Sequence, residues 1–282
     1  MKIFKAKEYP YKIIRQNPNS SSVPFPILRE PNGYITMSCV SPYHGRSFVV
    51  GKTDDGRYIV SKGNGLSYSQ SSYLHSAEFG DYTWGILLAN EAIRDYDMGM
   101  QISELGIKTN NMEFALELKT KIRLTNGHEI TPVLLQYSVE CPYRICDIPY
   151  MSNNELKEQI EKWGKKNQCG SSMYLIAADV LISNLNKLHN HNILHNAIHI
   201  QNYTWALELL DFELACSPKH PYDNKEDMSR VNDLFNREII QTYEIINHIA
   251  WCLGEDIDYK KIDNLFAHYS FDLSTLVTNT HQ

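Results

Sequence analysis

The spacing of apolar positions changes along this chain, and the change divides it into two parts. After NPNSSSVPFP (17–26), which reads as a surface loop, come three short β-like runs: GYITMSCV (33–40), RSFVVGK (46–52) and RYIVSK (57–62). TDDG joins the last two as a hairpin turn in which Gly56 can take positive φ. From Asp81 to Leu105 the spacing turns helical, marked by Trp84, Leu87, Leu88, Ala92, Ile93 and Tyr96, with Gly106 as its C-terminal cap. Two more strands follow, MEFALELKT (112–120) and EITPVLLQYSVE (129–140), split by a TNG turn at 125–127. Beyond about residue 141 the chain is mostly helical. NNELKEQIEKWGKK (153–166) and MYLIAADVLISNLNKLH (173–189) have amphipathic spacing, and the second is apolar enough for a central buried helix. Further helices are expected near 225–253 and 258–270.

The order β-β-helix-β-β matches the small lobe of a kinase-like fold. A β-rich half followed by a helical half predicts an α+β, bilobal, protein-kinase-like architecture. Its N-lobe would span residues 1–141 and its helical C-lobe 142–282, with a cleft between them.

Composition narrows the function. The 282 residues suffice for one large domain or two small lobes. A net charge of −6 argues against a general nucleic-acid binder but leaves room for a local basic pocket for a nucleotide. The start MKIFKAKEYPYKIIRQ holds no apolar segment of signal-peptide length, and no later run approaches a membrane span, so a cytoplasmic protein without membrane association is expected. Six cysteines (Cys39, Cys141, Cys146, Cys169, Cys216 and Cys252) lack CxxC pairing or zinc-ligand spacing and read as reduced, partly buried thiols. The cluster His189, His191, His195 and His199 straddles a helix end and a loop, which argues against a histidine metal site.

The residues that could handle a nucleotide occur in the order that phosphate chemistry requires: a lysine on the phosphates, a carboxylate to hold it, and oxygen ligands for a metal. Lys62 ends a strand, and Gly63 and Gly65 just after it let the backbone approach a ligand. Gly45 and Arg46, at the start of the preceding run, join the nucleotide-binding candidates. Glu91 and Asp95 lie one turn apart on the long helix, and either could pair with Lys62. In HNAIHIQN, His195 and Asn202 keep the spacing of the kinase loop H-R-D-x-x-x-x-N, and His199 echoes the H-x-D-x-H of small-molecule kinases. The apolar strand WALELL then delivers Asp211, so that Asn202 and Asp211 could share one Mg2+ across a hairpin. Two letters depart from a conventional kinase. Ala197 stands where the catalytic aspartate belongs and cannot accept a proton, and Glu213 stands at the glycine of a DFG.

Taken together, DDGR (54–57), KGNGLSYS (62–69), AIRDYDMGMQISELGIKT (92–109), HNAIHIQN (195–202) and DFE (211–213) resemble the selenoprotein O family. Its members are kinase-like proteins that lack the usual catalytic aspartate, bind ATP in a flipped orientation and transfer AMP to protein hydroxyls. The resemblance runs from about residue 40 to 215. It implies Asp95 at the helix carboxylate, a small apolar residue at position 197, and Arg144, within QYSVECPYRICD (136–147), on the flipped phosphates. Arg144 matches the second arginine of that segment and Gln136 replaces the first, Gln201 replaces a loop aspartate, and Asp95 is shorter than the usual glutamate.

The expectation is therefore an ATP- and Mg2+-binding protein, with Mn2+ as an alternative metal, that transfers AMP to a protein hydroxyl. Its catalytic set would be Lys62, Asp95 or Glu91, Asn202 and Asp211. An inactive nucleotide-binding module and a phosphotransferase acting on a small-molecule or protein hydroxyl are the alternatives. Ala197, Gln201 and Gln136 favour the inactive module.

Overall fold

The computed structural model describes residues 1–20, 22–41, 44–65, 85–123, 127, 129–164, 172–221 and 231–273. Expectations placed on 66–69, 81–84, 125–126, 165–166, 225–230 and Cys169 lie outside the described residues.

The chain is α+β and two-lobed, as the pattern predicts. Among the described residues, ten strands precede residue 140, with one helix among them: β1 (Lys2–Glu8), β2 (Tyr11–Gln16), β3 (Ile27–Arg29), β4 (Ile35–Cys39), β5 (Ser47–Lys52), β6 (Tyr58–Lys62), α1 (Ala89–Glu104), β7 (Asn111–Leu118), β8 (Ile122–Arg123), β9 (Glu129–Ile130) and β10 (Val133–Val139). A short 3-10 helix (Ile145–Tyr150) then leads into α2 (Asn153–Gly164), α3 (Met173–Asn190), α4 (Val231–Leu253) and α5 (Tyr259–His268).

Eight strands form one antiparallel sheet in the order β2-β7-β10-β6-β5-β4-β1-β3. That order forces the sheet to curl. In a flat sheet β1 and β2 would stand six strand spacings apart, roughly 29 Å, yet only Tyr9 and Pro10 link them, a reach of about 11 Å. The two ends therefore come together: Pro10 O accepts from Lys119 N at 2.7 Å, and Pro26 O accepts from Tyr9 N at 2.9 Å. Inside the curl lie two apolar clusters, one around Phe4, Ala6, Ile27, Met37 and Phe48, the other around Leu28, Phe114, Leu116 and Leu134. The other face of the sheet, with Val60, Leu135 and Tyr137, joins the main core shared with α1 and the helical half.

Several expectations need correction. β1, β2 and β3 were not foreseen. The first helix starts at Ala89, and residues 85–88 are not helical: Gly85 takes φ 73° and Leu87 pairs with Val133 as an isolated bridge. Their apolar spacing serves the sheet rather than a helix. EITPVLLQYSVE is two strands, because Thr131 and Pro132 separate β9 from β10 and a proline has no N–H for the ladder. WALELL is not a strand either. Leu207 N bonds Thr204 O at 2.9 Å with Leu207 at φ 59°, so the segment is a tight turn closed by single bridges from Leu209 to Tyr203 and Thr109.

In the helical half α3 is the central element, burying Tyr174, Ala177, Ala178, Leu181, Ile182, Leu185 and Leu188. Among the described residues no helix is long and apolar enough to cross a membrane.

Candidate active site

Lys62 sits at the end of β6, on a strand flanked by β5 and β10, with Ser47 and Leu135 as its register partners. Its side chain is only 3% exposed. A buried ammonium needs anionic partners, and here it has three. Nζ donates to Asp95 Oδ2 at 2.7 Å and to Asp211 Oδ1 at 2.6 Å, and Glu213 Oε2 lies 3.3 Å away. Burial would pull the Lys62 pKa down, but Asp211, Asp95 and Glu213 together outweigh it and hold it above the usual lysine value. Burial pushes Asp211 up, and Lys62, Arg144 and Arg46 more than reverse this, leaving it well below the usual carboxylate range. Asp95 moves the other way, since burial and the carboxylates of Asp211 and Glu213 outweigh Lys62.

Between Glu91 and Asp95 the structure selects Asp95. The Glu91 carboxylate turns back to accept from Leu88 N at 3.0 Å and caps the start of α1. Asp95 instead faces the sheet and performs two tasks. Its Oδ2 holds Lys62 while Oδ1 accepts from Phe212 N at 2.8 Å, locking α1 to the segment after Asp211. Gly99, one turn on, permits that closeness: a Cβ there would stand 3.0 Å from the Phe212 ring and 2.3 Å from Met112 Cε.

The loop from His195 to Asp211 is held from within. His195 is fully buried, and its Nε2 bonds Leu210 O at 2.9 Å while Nδ1 faces Ala197 N at 3.3 Å. That pairing assigns the proton to Nε2, and burial lowers the pKa so that the ring stays neutral. His195 also meets Phe212 edge-on, with ring centroids 5.4 Å apart. It is a scaffold for the loop, whereas His199 is exposed. Asn202 N donates to His199 O at 2.8 Å, and its side-chain Nδ2 donates to Ala197 O at 2.9 Å. This fixes the amide so that Oδ1, the hard-oxygen donor, is free of hydrogen bonds from the described residues. Asp211 follows with φ 67°, a left-handed conformation that aspartate tolerates better than most residues.

Gly63 and Gly65 have positive φ, 97° and 108°. Their smallness serves the chain itself, because a Cβ on Gly63 would lie 2.7 Å from Val133 O and one on Gly65 3.2 Å from the Arg29 Cβ. Gly45 also takes positive φ, 59°, and turns the chain into Arg46. Gln136 is wholly engaged: it accepts from Phe25 N and donates to Val23 O and Ser22 Oγ, pinning residues 22–25 across the sheet. Arg144 is buried and donates to Gln201 O at 2.9 Å.

Three features were not legible in spacing. Arg46 Nη2 donates to both oxygens of Glu213, 167 residues away, at 2.5 Å. His44 Nε2 bonds the buried Asp147 at 2.5 Å. Glu208, fully buried, takes donors from Glu140 N, Cys141 N, Thr204 Oγ1 and Arg57 Nη2, clamping the link between the lobes. Beside that link lies an apolar crevice lined by Val49, Val60, Tyr137, Val139 and Leu210, with His44 and Arg144 at its polar side. Its free volume is about 10 Å3, room for one water molecule.

A strand lysine paired to a helix carboxylate and to an aspartate beyond the loop is the arrangement by which kinase-like folds hold phosphates and metal. The oxygens of Asp95, Asp211 and Glu213 lie within 4.8 Å of one another, a hard donor set of the kind that suits Mg2+. No family model matches the chain. No curated protein matches it either. Among solved structures it is similar to the kinase domain of a Toxoplasma gondii specific rhoptry antigen, at 9% identity and a TM-score of 0.34. That similarity covers 61% of this chain and 47% of the other, so the chain spans about half the length of its structural neighbour.

Proposed function

We propose that the cleft between the lobes binds ATP with Mg2+, and that the protein transfers AMP to a protein hydroxyl. The observation that supports the nucleotide site is the buried Lys62 held by Asp95 and Asp211. Burying this ammonium among carboxylates costs hydration that the pairing only partly returns, and a phosphate ligand for Lys62 accounts for keeping it there. Lys62 would hold phosphates, and Asp211 with Asn202 Oδ1 would hold Mg2+, which neutralises the phosphate chain when bound. Arg144 lies close enough to Asp211 to help keep it ionised, and that placement suits contact with the outer phosphates. The choice of AMP over phosphate rests on the resemblance to the selenoprotein O family. In that transfer the hydroxyl oxygen attacks the α-phosphorus, the bond to the β-phosphate oxygen breaks so that pyrophosphate leaves with the electron pair, and the hydroxyl proton passes to water.

A second reading is a nucleotide-responsive binding module without transfer. The residues at 197 and 201, Ala and Gln, cannot take the hydroxyl proton, and the crevice beside the link must widen to admit a nucleobase. Incubation with ATP labelled at the α or the γ phosphate separates the readings. Transfer of the α label alone, lost in Asp211→Ala, is the expected outcome. Transfer of the γ label would replace AMP transfer with phosphorylation, and ATP binding without any transfer would leave the module.

A further inference from the structure

Glu213 stands where a kinase-like loop has its flexible glycine, and it does not point to solvent. Both of its oxygens accept from Arg46 Nη2 at 2.5 Å, and Oε2 lies 3.3 Å from Lys62 Nζ. Two cations, Arg46 just before β5 and Lys62 at the end of β6, thus converge on one carboxylate, the geometry of an anion site. The backbone reinforces it: Arg46 O accepts from Gly63 N at 2.9 Å, which sets Arg46 directly beside the strand end that carries Lys62.

The Arg46–Glu213 pair lies nearer to solvent than Lys62, with side chains 19% and 21% exposed against 3%. The backbone around Glu213 is held on both sides: Phe212 O accepts from Ala215 N at 3.0 Å, and Leu214 O accepts from Asn196 Nδ2 at 3.1 Å. Phe212 is fully buried with its N–H on Asp95, whereas Leu214 is half exposed. With the backbone fixed, the Glu213 side chain, 21% exposed, can swing outward about its own torsions while Phe212 and Asp211 stay in place. Charge points the same way. Lys62 and Arg46 face Asp95, Asp211 and Glu213, so Glu213 already supplies these two cations with an anion.

We propose that Glu213 is an internal anion filling the phosphate subsite formed by Arg46 and Lys62, and that a nucleotide enters by displacing it. This inference rests on reading the cleft as a nucleotide site. It makes Arg46 a phosphate-binding residue once Glu213 has left, and makes Glu213 a brake on affinity. A competing role for Glu213, as a third metal ligand beside Asp95 and Asp211, demands the opposite effect of its removal.

The test is calorimetric titration of ATP, in EDTA and in Mg2+, into the wild-type chain, Glu213→Gln and Glu213→Ala. The two variants differ in size, so a packing defect peculiar to one is exposed by the other, and thermal melts check that each is folded. Both variants are expected to bind ATP in EDTA about three- to fivefold more tightly than wild type, the effect of deleting a competing ion pair. Adding Arg46→Ala to Glu213→Gln is expected to abolish the gain. Binding that is unchanged or weaker in both variants overturns the inference while leaving the nucleotide site standing. Weaker binding confined to Mg2+ also overturns it and makes Glu213 a metal ligand. If no protein in the set binds ATP at millimolar concentration, the nucleotide reading falls and the inference with it.

Discussion

Replacing Asp95 by alanine probes the joint on which the cleft depends. Asp95 is fully buried and makes two contacts through different oxygens, to Lys62 Nζ at 2.7 Å and to Phe212 N at 2.8 Å. Breaking a buried ion pair from one side costs about 3–5 kcal/mol, because the surviving charge is stranded. Lys62 would not be wholly stranded here, since Asp211 remains at 2.6 Å. Its contribution therefore falls below that range, to about 2 kcal/mol. Leaving the Phe212 N–H unpaired in the core adds about 1 kcal/mol, for a total loss of about 3 kcal/mol. Asp95→Asn keeps the shape and an acceptor for Phe212 N, and relieves repulsion from Asp211 and Glu213. It should cost about 1 kcal/mol. Urea denaturation followed by circular dichroism measures both. The reasoning is refuted if Asp95→Ala lies within about 0.5 kcal/mol of wild type, or if the asparagine costs more than the alanine.

Two further substitutions and a pH series test other parts of the account. Gly56 and Gly63 both have positive φ, 87° and 97°, but a Cβ meets nothing within 4 Å at Gly56 and the Val133 carbonyl at 2.7 Å at Gly63. Gly56→Ala should cost about 1 kcal/mol and Gly63→Ala upwards of about 2 kcal/mol, and equal losses in denaturation would contradict the packing assigned to β6. His195 is held neutral by burial, with its folded pKa below the unfolded value. The unfolded chain therefore takes up a proton that the folded chain refuses, so this contribution is complete above about pH 6.5 and is lost as pH falls from there towards the folded pKa. His195→Gln should flatten the acid limb of the stability profile by about 1.4 kcal/mol per pH unit. His44 and His248, whose pKa values burial also lowers, keep the remaining slope. An unchanged limb would mean that His195 is not buried neutral.

What the sequence disclosed was mainly local. The helices announced themselves through spacing, and α3 was recognisable as central from its apolar length. His195, Asn202 and Asp211 fall within one short turn-bound loop, so their separations survive folding. Lys62 and Asp95 could be paired because a strand end and a helix face leave few choices, though Glu91 was separated from Asp95 only by the cap it forms. The failures have physical reasons as well. WALELL is apolar because it is buried at a turn, and burial does not distinguish a turn from a strand. Leu87 kept helical spacing while bridging Val133. Arg46–Glu213, His44–Asp147 and Arg57–Glu208 join residues 103 to 167 positions apart, and no spacing rule reaches across a fold. Gln136 read as a lost arginine, yet its amide is fully used in holding residues 22–25.

The central claim is that Asp211 serves a metal-bound nucleotide phosphate rather than the fold alone, and titration of ATP into wild type and Asp211→Asn tests it most directly. The substitution keeps the shape of a side chain that is 24% exposed and removes only its charge. The measurement is made in Mg2+ and in EDTA, with the same pair of proteins repeated on the Glu213→Gln background so that weak wild-type binding does not hide the effect. The account predicts that Asp211→Asn weakens binding at least about tenfold in Mg2+ and not at all in EDTA, where a carboxylate only repels phosphate. Equal loss in both conditions, or no binding by any of the proteins, would contradict it.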